Sequence, residues 1–151
     1  MFDVVSSFYL AVQSLKEKRR STECVSMHPV WTTEQIIESL PYDLTKAQLN
    51  VWHEIERDLS GQALMSRLVQ GDVGSGKTIL AFLAMIMTVE NGYQAVLMAP
   101  TEVLARQHFQ AMEKLLQEQN IDFGHPVLLT GSDTAKEKRE KSNSADRVKR
   151  G

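Results

Sequence analysis

The chain has a single cysteine, no apolar run long enough to cross a membrane, and little net charge. The lone Cys24 excludes an internal disulfide framework and is typical of a protein in a reducing cytoplasm. A membrane-spanning helix needs about 20 consecutive apolar residues, and the sequence contains no such run. The first residues carry Asp3 and no basic segment ahead of an apolar one, so we expect no secretory signal peptide.

The net charge of −2 does not by itself indicate a nucleic-acid partner, but the charge is unevenly distributed. Residues 133–151 hold seven Lys and Arg against four Asp and Glu, a balance of +3, which leaves −5 for the rest of the chain. A basic terminal segment on an acidic body is usually a solvated tail. The 151 residues therefore predict about one domain, followed by a basic and poorly ordered tail over residues 133–151.

A glycine-rich segment fits the phosphate-loop pattern G-x-x-x-x-G-K-[ST] at every specified position. It reads Gly71-Asp72-Val73-Gly74-Ser75-Gly76-Lys77-Thr78. The three glycines allow backbone angles that a Cβ forbids, and they let amide groups close around phosphate oxygens. In such a loop Lys77 supplies a positive charge to the β- and γ-phosphates, and Thr78 offers a hydroxyl to Mg²⁺.

The residues on both sides of this segment decide between a phosphate loop and a chance glycine turn followed by Lys-Thr. Residues 64–70 are short and apolar enough for a buried strand. Residues 79–87 are rich in helix formers, and Asn91-Gly92 is a good helix stop. Strand, glycine loop and helix is the order that phosphate binding needs, so the context favours a phosphate loop.

Helix signals precede the loop. In residues 1–40, an amphipathic face predicts a first helix, and its members are Val5, Phe8, Val12 and Leu15. Thr32 or Thr33 is expected to cap a short helix through Leu40. Thr45 and Gln48 form a capping box for the next helix, whose buried stripe is expected to contain Ala47, Val51, Trp52, Ile55 and Leu59. Capping alone accounts for Gln48, and the alternative is that its amide binds the adenine edge.

Two further apolar segments, residues 93–99 and 127–130, are predicted to be strands. Thr101 is expected to cap a helix after the first of them, with His108 on its apolar face as a packed side chain rather than a metal ligand. Alternating strands and helices imply a parallel sheet with the strand ends at Gly71, Pro100 and Gly131 along one edge. Ligands bind at such edges.

Four segments together closely resemble the motifs of superfamily 2 helicases, and most closely those of the RecG family of bacterial DNA helicases. They are Leu44–Gln48, Gln70–Thr78, Met98–His108 and Leu128–Ser132. The resemblance covers about residues 35–140. It implies an α/β fold: an incomplete RecA-like P-loop NTPase domain over residues 41–132, with flanking helices on a parallel sheet. A connector helix and linker over residues 1–40 would precede it.

By this resemblance, the protein would bind ATP and Mg²⁺ in the bacterial cytoplasm and would act on branched or forked DNA in recombination, branch migration and replication-fork repair. Gln48 would contact adenine with Tyr42 beside the base, and Lys77 and Thr78 would be the catalytic residues. The DNA backbone would be contacted by Pro100, Thr101, Glu102, Thr130 and Gly131. Contacts of this kind carry no sequence information.

The sequence also departs from the family pattern. No Asp-Glu pair occurs in the chain, so the acidic motif that orients Mg²⁺ and the attacking water is missing. The second motor domain and the DNA-binding wedge domain are also missing, and residues 1–7 and 141–151 do not resemble the family. We therefore expect a catalytically incomplete part of a helicase, of the kind a truncated or frame-disrupted gene encodes.

Three functions follow from these observations. The first is the ATP-binding part of an ATP-dependent DNA helicase. The second is a non-catalytic nucleotide-binding remnant, which the missing acidic motif favours. The third is an unrelated loop NTPase or kinase, and the segments at Pro100–Glu102 and Thr130–Gly131 argue against it.

Overall fold

The computed structural model describes residues 25–72, 74–121, 126–134 and 137. Its helices, in chain order, are α1 (Trp31–Ser39), α2 (Lys46–Leu59), α3 (Lys77–Glu90) and α4 (Glu102–Glu118). In this part of the chain, no helix combines the length and apolarity that a bilayer span requires.

Helix α3 lies at the centre of the hydrophobic core. Its buried residues recur at helical spacing and form one broad apolar face, and they are Ile79, Leu80, Phe82, Leu83, Ile86 and Met87. Both α1 and α2 contact it, and Trp52 and Ile55 of α2 and Met112 and Leu115 of α4 belong to the same core. Because the phosphate-loop lysine begins α3, the most buried helix holds the candidate site in place.

The helix caps match the sequence predictions in two of three cases. The Thr45–Gln48 capping box at α2 is confirmed in both directions, and Thr101 accepts a hydrogen bond from the Leu104 amide at α4. The predicted cap of the first short helix is wrong. Helix α1 begins after Val30 without a side-chain cap, and Thr33 lies fully buried inside the helix with its hydroxyl donating to the Val30 carbonyl.

The segment ahead of α1 is tied to the C-terminal ends of two helices. The Met27 amide donates to the Leu59 carbonyl at the end of α2 (3.1 Å). At the end of α3, the Asn91 side chain accepts from the His28 amide (2.8 Å) and donates to the His28 carbonyl (2.9 Å). Residues 25–30 are therefore part of the same packed unit as the phosphate-loop helix.

The predicted parallel sheet is not confirmed, because none of the described residues lies in a strand. Residues 64–70, 93–99 and 126–130 have no regular secondary structure. Leu68, Val96 and Met98 are 81%, 83% and 89% exposed, whereas strands of a parallel sheet are covered on both faces. A strand also depends on ladder hydrogen bonds to a neighbour, and an apolar sequence supplies only the propensity for it.

Some predictions fall on residues outside the described part of the chain. These are the amphipathic helix around Val5 to Leu15, Val73 of the phosphate loop, and most of the basic tail.

Candidate functional site

Lys77 is the first residue of α3, and its side chain turns back into the glycine loop. The ammonium group donates to the carbonyl oxygens of Gly71 (2.7 Å) and Asp72 (2.6 Å) and to the Ser75 hydroxyl (3.0 Å). The Ser75 amide in turn donates to the Asp72 carbonyl at 3.1 Å. The lysine charge is thus held at the mouth of the loop that the sequence predicts to bind phosphate.

An added Cβ at two of the loop glycines would meet a neighbouring side chain. A Cβ on Gly71 would lie 2.6 Å from the Ser75 hydroxyl oxygen, and a Cβ on Gly76 would overlap the amide nitrogen of Gln48. Gly76 also has φ +75°, in the left-handed region that L-residues rarely adopt. A side chain at either position would therefore displace the groups that shape the loop.

Gln48 contacts the phosphate loop directly. Its Oε1 accepts from the Thr45 amide (2.6 Å) within the capping box, while its Nε2 donates to the Ser75 carbonyl (2.8 Å). Both polar ends of the side chain are therefore engaged by backbone groups in this structure. The sequence offers capping or adenine binding as the role of Gln48, and the structure adds a tie to the loop.

The N-terminus of α3 is suited to an anion. Helices α2 and α4 begin with threonine caps, whereas α3 follows Gly76, which has no side chain to occupy the first free amides. Free amides and the positive end of the helix dipole together favour a phosphate group at this point. The glycine loop and the uncapped helix start are thus suited to an anionic group.

Tyr42 and Thr78 border the same cavity of about 270 Å³. Its walls are mainly apolar and come from the Leu40–Tyr42 segment, the start of α3 and the second half of α4. Tyr42 is half exposed there. The described residues contain no group of three or more His, Cys, Asp or Glu side chains that could hold a metal. Thr78 stays a predicted Mg²⁺ contact.

The segments after the second and third predicted strands meet. The Ser132 hydroxyl donates to Glu102 Oε1 (3.2 Å) and lies 2.9 Å from the Thr130 hydroxyl. The Thr130 amide donates to Asp133 Oδ2 at 2.7 Å. Among the predicted DNA contacts, Thr130 is buried, whereas those exposed are Pro100, Thr101, Glu102 and Gly131.

Sequence reasoning missed Ser132, which joins Glu102, and Arg106, which forms an ion pair with Glu102 at 2.6 Å. It placed Ser75 in the phosphate loop but did not predict that Ser75 receives Gln48 and Lys77. The Arg106 pair could have been found, because opposite charges four residues apart on a helix face each other. The two serine contacts have no signal in the local sequence.

Arg67 positions the segment that leads into the loop. Its guanidinium donates to Asp58 Oδ2 (2.7 Å) and also pairs with Glu54, both on α2. The hydrogen bond from Arg67 lowers the pKa of the Asp58 carboxyl below its ordinary value. The loop is therefore tied to α2 at two places, through Arg67 on its entering segment and through Gln48 at Ser75.

Comparisons with known proteins show which family this chain resembles. The DEAD/DEAH box helicase family model matches residues 45–148. The ATP-dependent DNA helicase RecG of Streptococcus pneumoniae is 42% identical over 142 residues, covering 92% of this chain and 20% of that protein. RecG of Synechocystis is 49% identical over 107 residues, which is 71% of this chain and 12% of that protein.

A solved structure of RecG bound to a three-way DNA junction matches the fold, with a TM-score of 0.75 and 34% identity over 89% of this chain and 18% of that chain. The chain therefore spans a fifth or less of these relatives' length. The family match covers more than half of the chain and includes the capping box, the phosphate loop and both segments joined by Glu102. The chain belongs to the DEAD/DEAH box helicase family, and its sequence is of the RecG type.

Proposed function

We propose that this chain is the ATP-binding part of an ATP-dependent DNA helicase of the bacterial cytoplasm, acting on branched DNA in recombination, branch migration and replication-fork repair. The observation that carries the proposal is the Lys77 ammonium, held by Gly71, Asp72 and Ser75 at the uncapped start of α3. A fixed cation beside free helix amides is what a triphosphate needs.

In this proposal Lys77 binds the β- and γ-phosphates, and the loop amides from residues 71–76 surround them. Thr78 contacts Mg²⁺, which supplies charge neutralisation to the phosphates when bound. Tyr42 lies beside the base in the cavity that it shares with Thr78. The segments at Pro100–Glu102 and Thr130–Gly131 contact the DNA backbone, where an exposed glycine and a capped helix start are available.

We also assign residues 41–132 to a partial RecA-like domain, in which residues 64–70, 93–99 and 127–130 take their places in a parallel sheet. Residues 1–40 form the connector to a DNA-binding domain, and residues 133–151 form a basic tail. The fold match to RecG supports this assignment.

A titration with a fluorescent ATP analogue in the presence of Mg²⁺ tests nucleotide binding. Lys77→Ala removes a charge-assisted contact that contributes roughly 1.5–3 kcal/mol, so affinity is expected to fall about tenfold to hundredfold. Lys46→Ala is the matched control, because Lys46 is an exposed lysine at the start of α2. Equal affinities for the wild type and Lys77→Ala would refute the proposal.

A second candidate function, a nucleotide-binding module without catalysis, is favoured by the absence of an Asp-Glu pair. Phosphoryl transfer needs Mg²⁺ and water held in place and charge neutralised from the far side, and losing the cationic finger alone costs about 10³–10⁵ in rate. We therefore expect no unwinding and little or no ATP hydrolysis by this chain alone. A coupled ATPase assay with forked DNA, run beside Lys77→Ala, decides: DNA-stimulated turnover that the mutation abolishes would contradict this expectation.

A further inference from the structure

One carboxylate oxygen joins the two segments that are expected to contact DNA. Glu102 Oε1 accepts hydrogen bonds from Arg106 Nε (3.2 Å) and Nη2 (2.6 Å) on the next turn of α4. The same oxygen accepts from the Ser132 hydroxyl (3.2 Å), which comes from the turn after residue 130. Glu102 is thus a junction between the start of α4 and that turn.

The charges around this junction do not favour a phosphate contact by Glu102 itself. Its hydrogen bonds from Arg106 lower the pKa of the Glu102 carboxyl, which stays ionised near neutral pH, and the Asp133 carboxylate lies close enough to oppose that shift. The carboxylates of Glu102 and Asp133 and the guanidinium of Arg106 together carry a net negative charge. A carboxylate facing a phosphate would repel it.

Arg106 has the hydrogen-bond donors for a phosphate that Glu102 lacks. A guanidinium has five N–H donors in a planar fork that matches phosphate oxygens. Glu102 receives two of them, through Nε and Nη2, and so sets the plane of the fork. The Arg106 side chain is 54% exposed, which leaves its remaining donors open to solvent.

We propose that Glu102 is a positioning residue for DNA binding, which orients Arg106 as the phosphate contact and fixes Ser132 beside Thr130. This inference rests on the proposed function, in which this surface contacts the DNA backbone. It replaces the direct contact by Glu102 that the family resemblance implies, and it adds Arg106 to the interface.

The positioning role and simple charge repulsion predict opposite changes in DNA affinity for Glu102→Ala. If Glu102 only repels phosphates, Glu102→Ala should tighten DNA binding. If Glu102 orients Arg106, the same substitution should weaken binding by at least about twofold, because groups in direct contact are energetically coupled. Arg106→Ala should also weaken binding and lower the slope of log affinity against log salt by about 1.

The experiment measures fluorescence anisotropy of dye-labelled forked DNA with the 151-residue chain, without nucleotide, over a series of salt concentrations. We expect Glu102→Ala to weaken DNA binding and to lower the salt slope, as Arg106→Ala does. In the double variant, Glu102→Ala should add little to the loss of affinity that Arg106→Ala causes. Glu102→Gln keeps an acceptor oxygen and should lose less affinity than Glu102→Ala. Glu118→Ala is the matched control, because Glu118 pairs with Lys114 four residues away on the same helix, and it should leave affinity unchanged.

Each outcome of the anisotropy experiment supports or overturns the positioning role of Glu102. Tighter binding by Glu102→Ala, or additive losses in the double variant, would overturn the positioning role while DNA binding by the chain stands. Unchanged binding by both single variants would remove Glu102 and Arg106 from the interface. No binding by the wild-type chain would overturn both this inference and the DNA-binding part of the proposed function. Circular dichroism melting of each variant separates a loss of contact from a loss of fold.

Discussion

Gln48 Nε2 lies 2.8 Å from the carbonyl oxygen of Ser75, so the glutamine of the α2 capping box also holds the phosphate loop. A Cβ on Gly76 would overlap that same nitrogen, which shows how closely the amide approaches the loop. The contact joins the first turn of α2 to the residue whose hydroxyl receives Lys77. The shape of the loop therefore depends on a side chain from a different helix.

Gln48→Ala is expected to weaken the binding of ATP and of inorganic triphosphate by the same factor. The lost hydrogen bond is worth roughly 0.5–1.5 kcal/mol, or about two- to tenfold in affinity, and it acts on the loop rather than on the base. Isothermal titration with each ligand measures this. Thr45→Ala is the control, because it removes the cap and leaves the amide free to reach Ser75. A loss confined to ATP would show that Gln48 recognises adenine instead.

Gly76→Ala is expected to cost more stability than Gly92→Ala and, unlike it, to weaken nucleotide binding. Both glycines have positive φ, at +75° and +83°, so each substitution carries the left-handed penalty of roughly 1–2 kcal/mol. Only the Gly76 substitution meets Gln48, since nothing lies within 4 Å of a Cβ on Gly92. Thermal melting and the fluorescent nucleotide titration give the two readouts, and equal effects of the two variants would contradict the role of the Gln48 contact.

Asn91→Ala should destabilise the chain by about 1–2 kcal/mol, because it removes the side-chain bonds to both backbone groups of His28 and to the Met87 carbonyl. Residues 25–30 would then separate more easily from the C-terminal end of α3. Asn50→Ala, at an exposed position within α2, is the control and should stay within about 0.5 kcal/mol of the wild type. Chemical denaturation measures both, and a neutral Asn91→Ala would mean that other contacts hold the segment.

The Asp58–Arg67 pair predicts a stability difference that depends on pH. The pKa of Asp58 is lowered in the folded chain. The ion pair's contribution to folding stability is therefore present above the ordinary pKa of about 3.9, and it is lost as the pH falls through the lower pKa of the folded state. Wild type should melt above Asp58→Asn at neutral pH, and the gap should close at acidic pH. Asp43→Asn removes an exposed carboxylate and controls for net charge. A gap that stays constant from neutral to strongly acidic pH would rule out the ion pair as its cause.

Most local features of this protein were determined by the sequence alone, although the cap of α1 was not. The capping box at Thr45 and Gln48, the threonine cap of α4 and the glycine loop before α3 are all confirmed as elements. Each depends on residues within about four positions of one another, where hydrogen-bonding side chains and glycine act on the neighbouring backbone. Local features of this kind can be predicted without knowledge of the tertiary structure.

The contacts between elements were decided only by the tertiary structure. Gln48 reaches Ser75 across 27 residues, Glu102 reaches Ser132 across 30, and Asn91 reaches His28 across 63. The sheet expected from residues 64–70, 93–99 and 127–130 belongs to the same class, because strand pairing depends on distant neighbours as well as on apolar composition. Chain folding brings such partners together, so a sequence pattern predicts the groups that are available and the packing decides which of them meet.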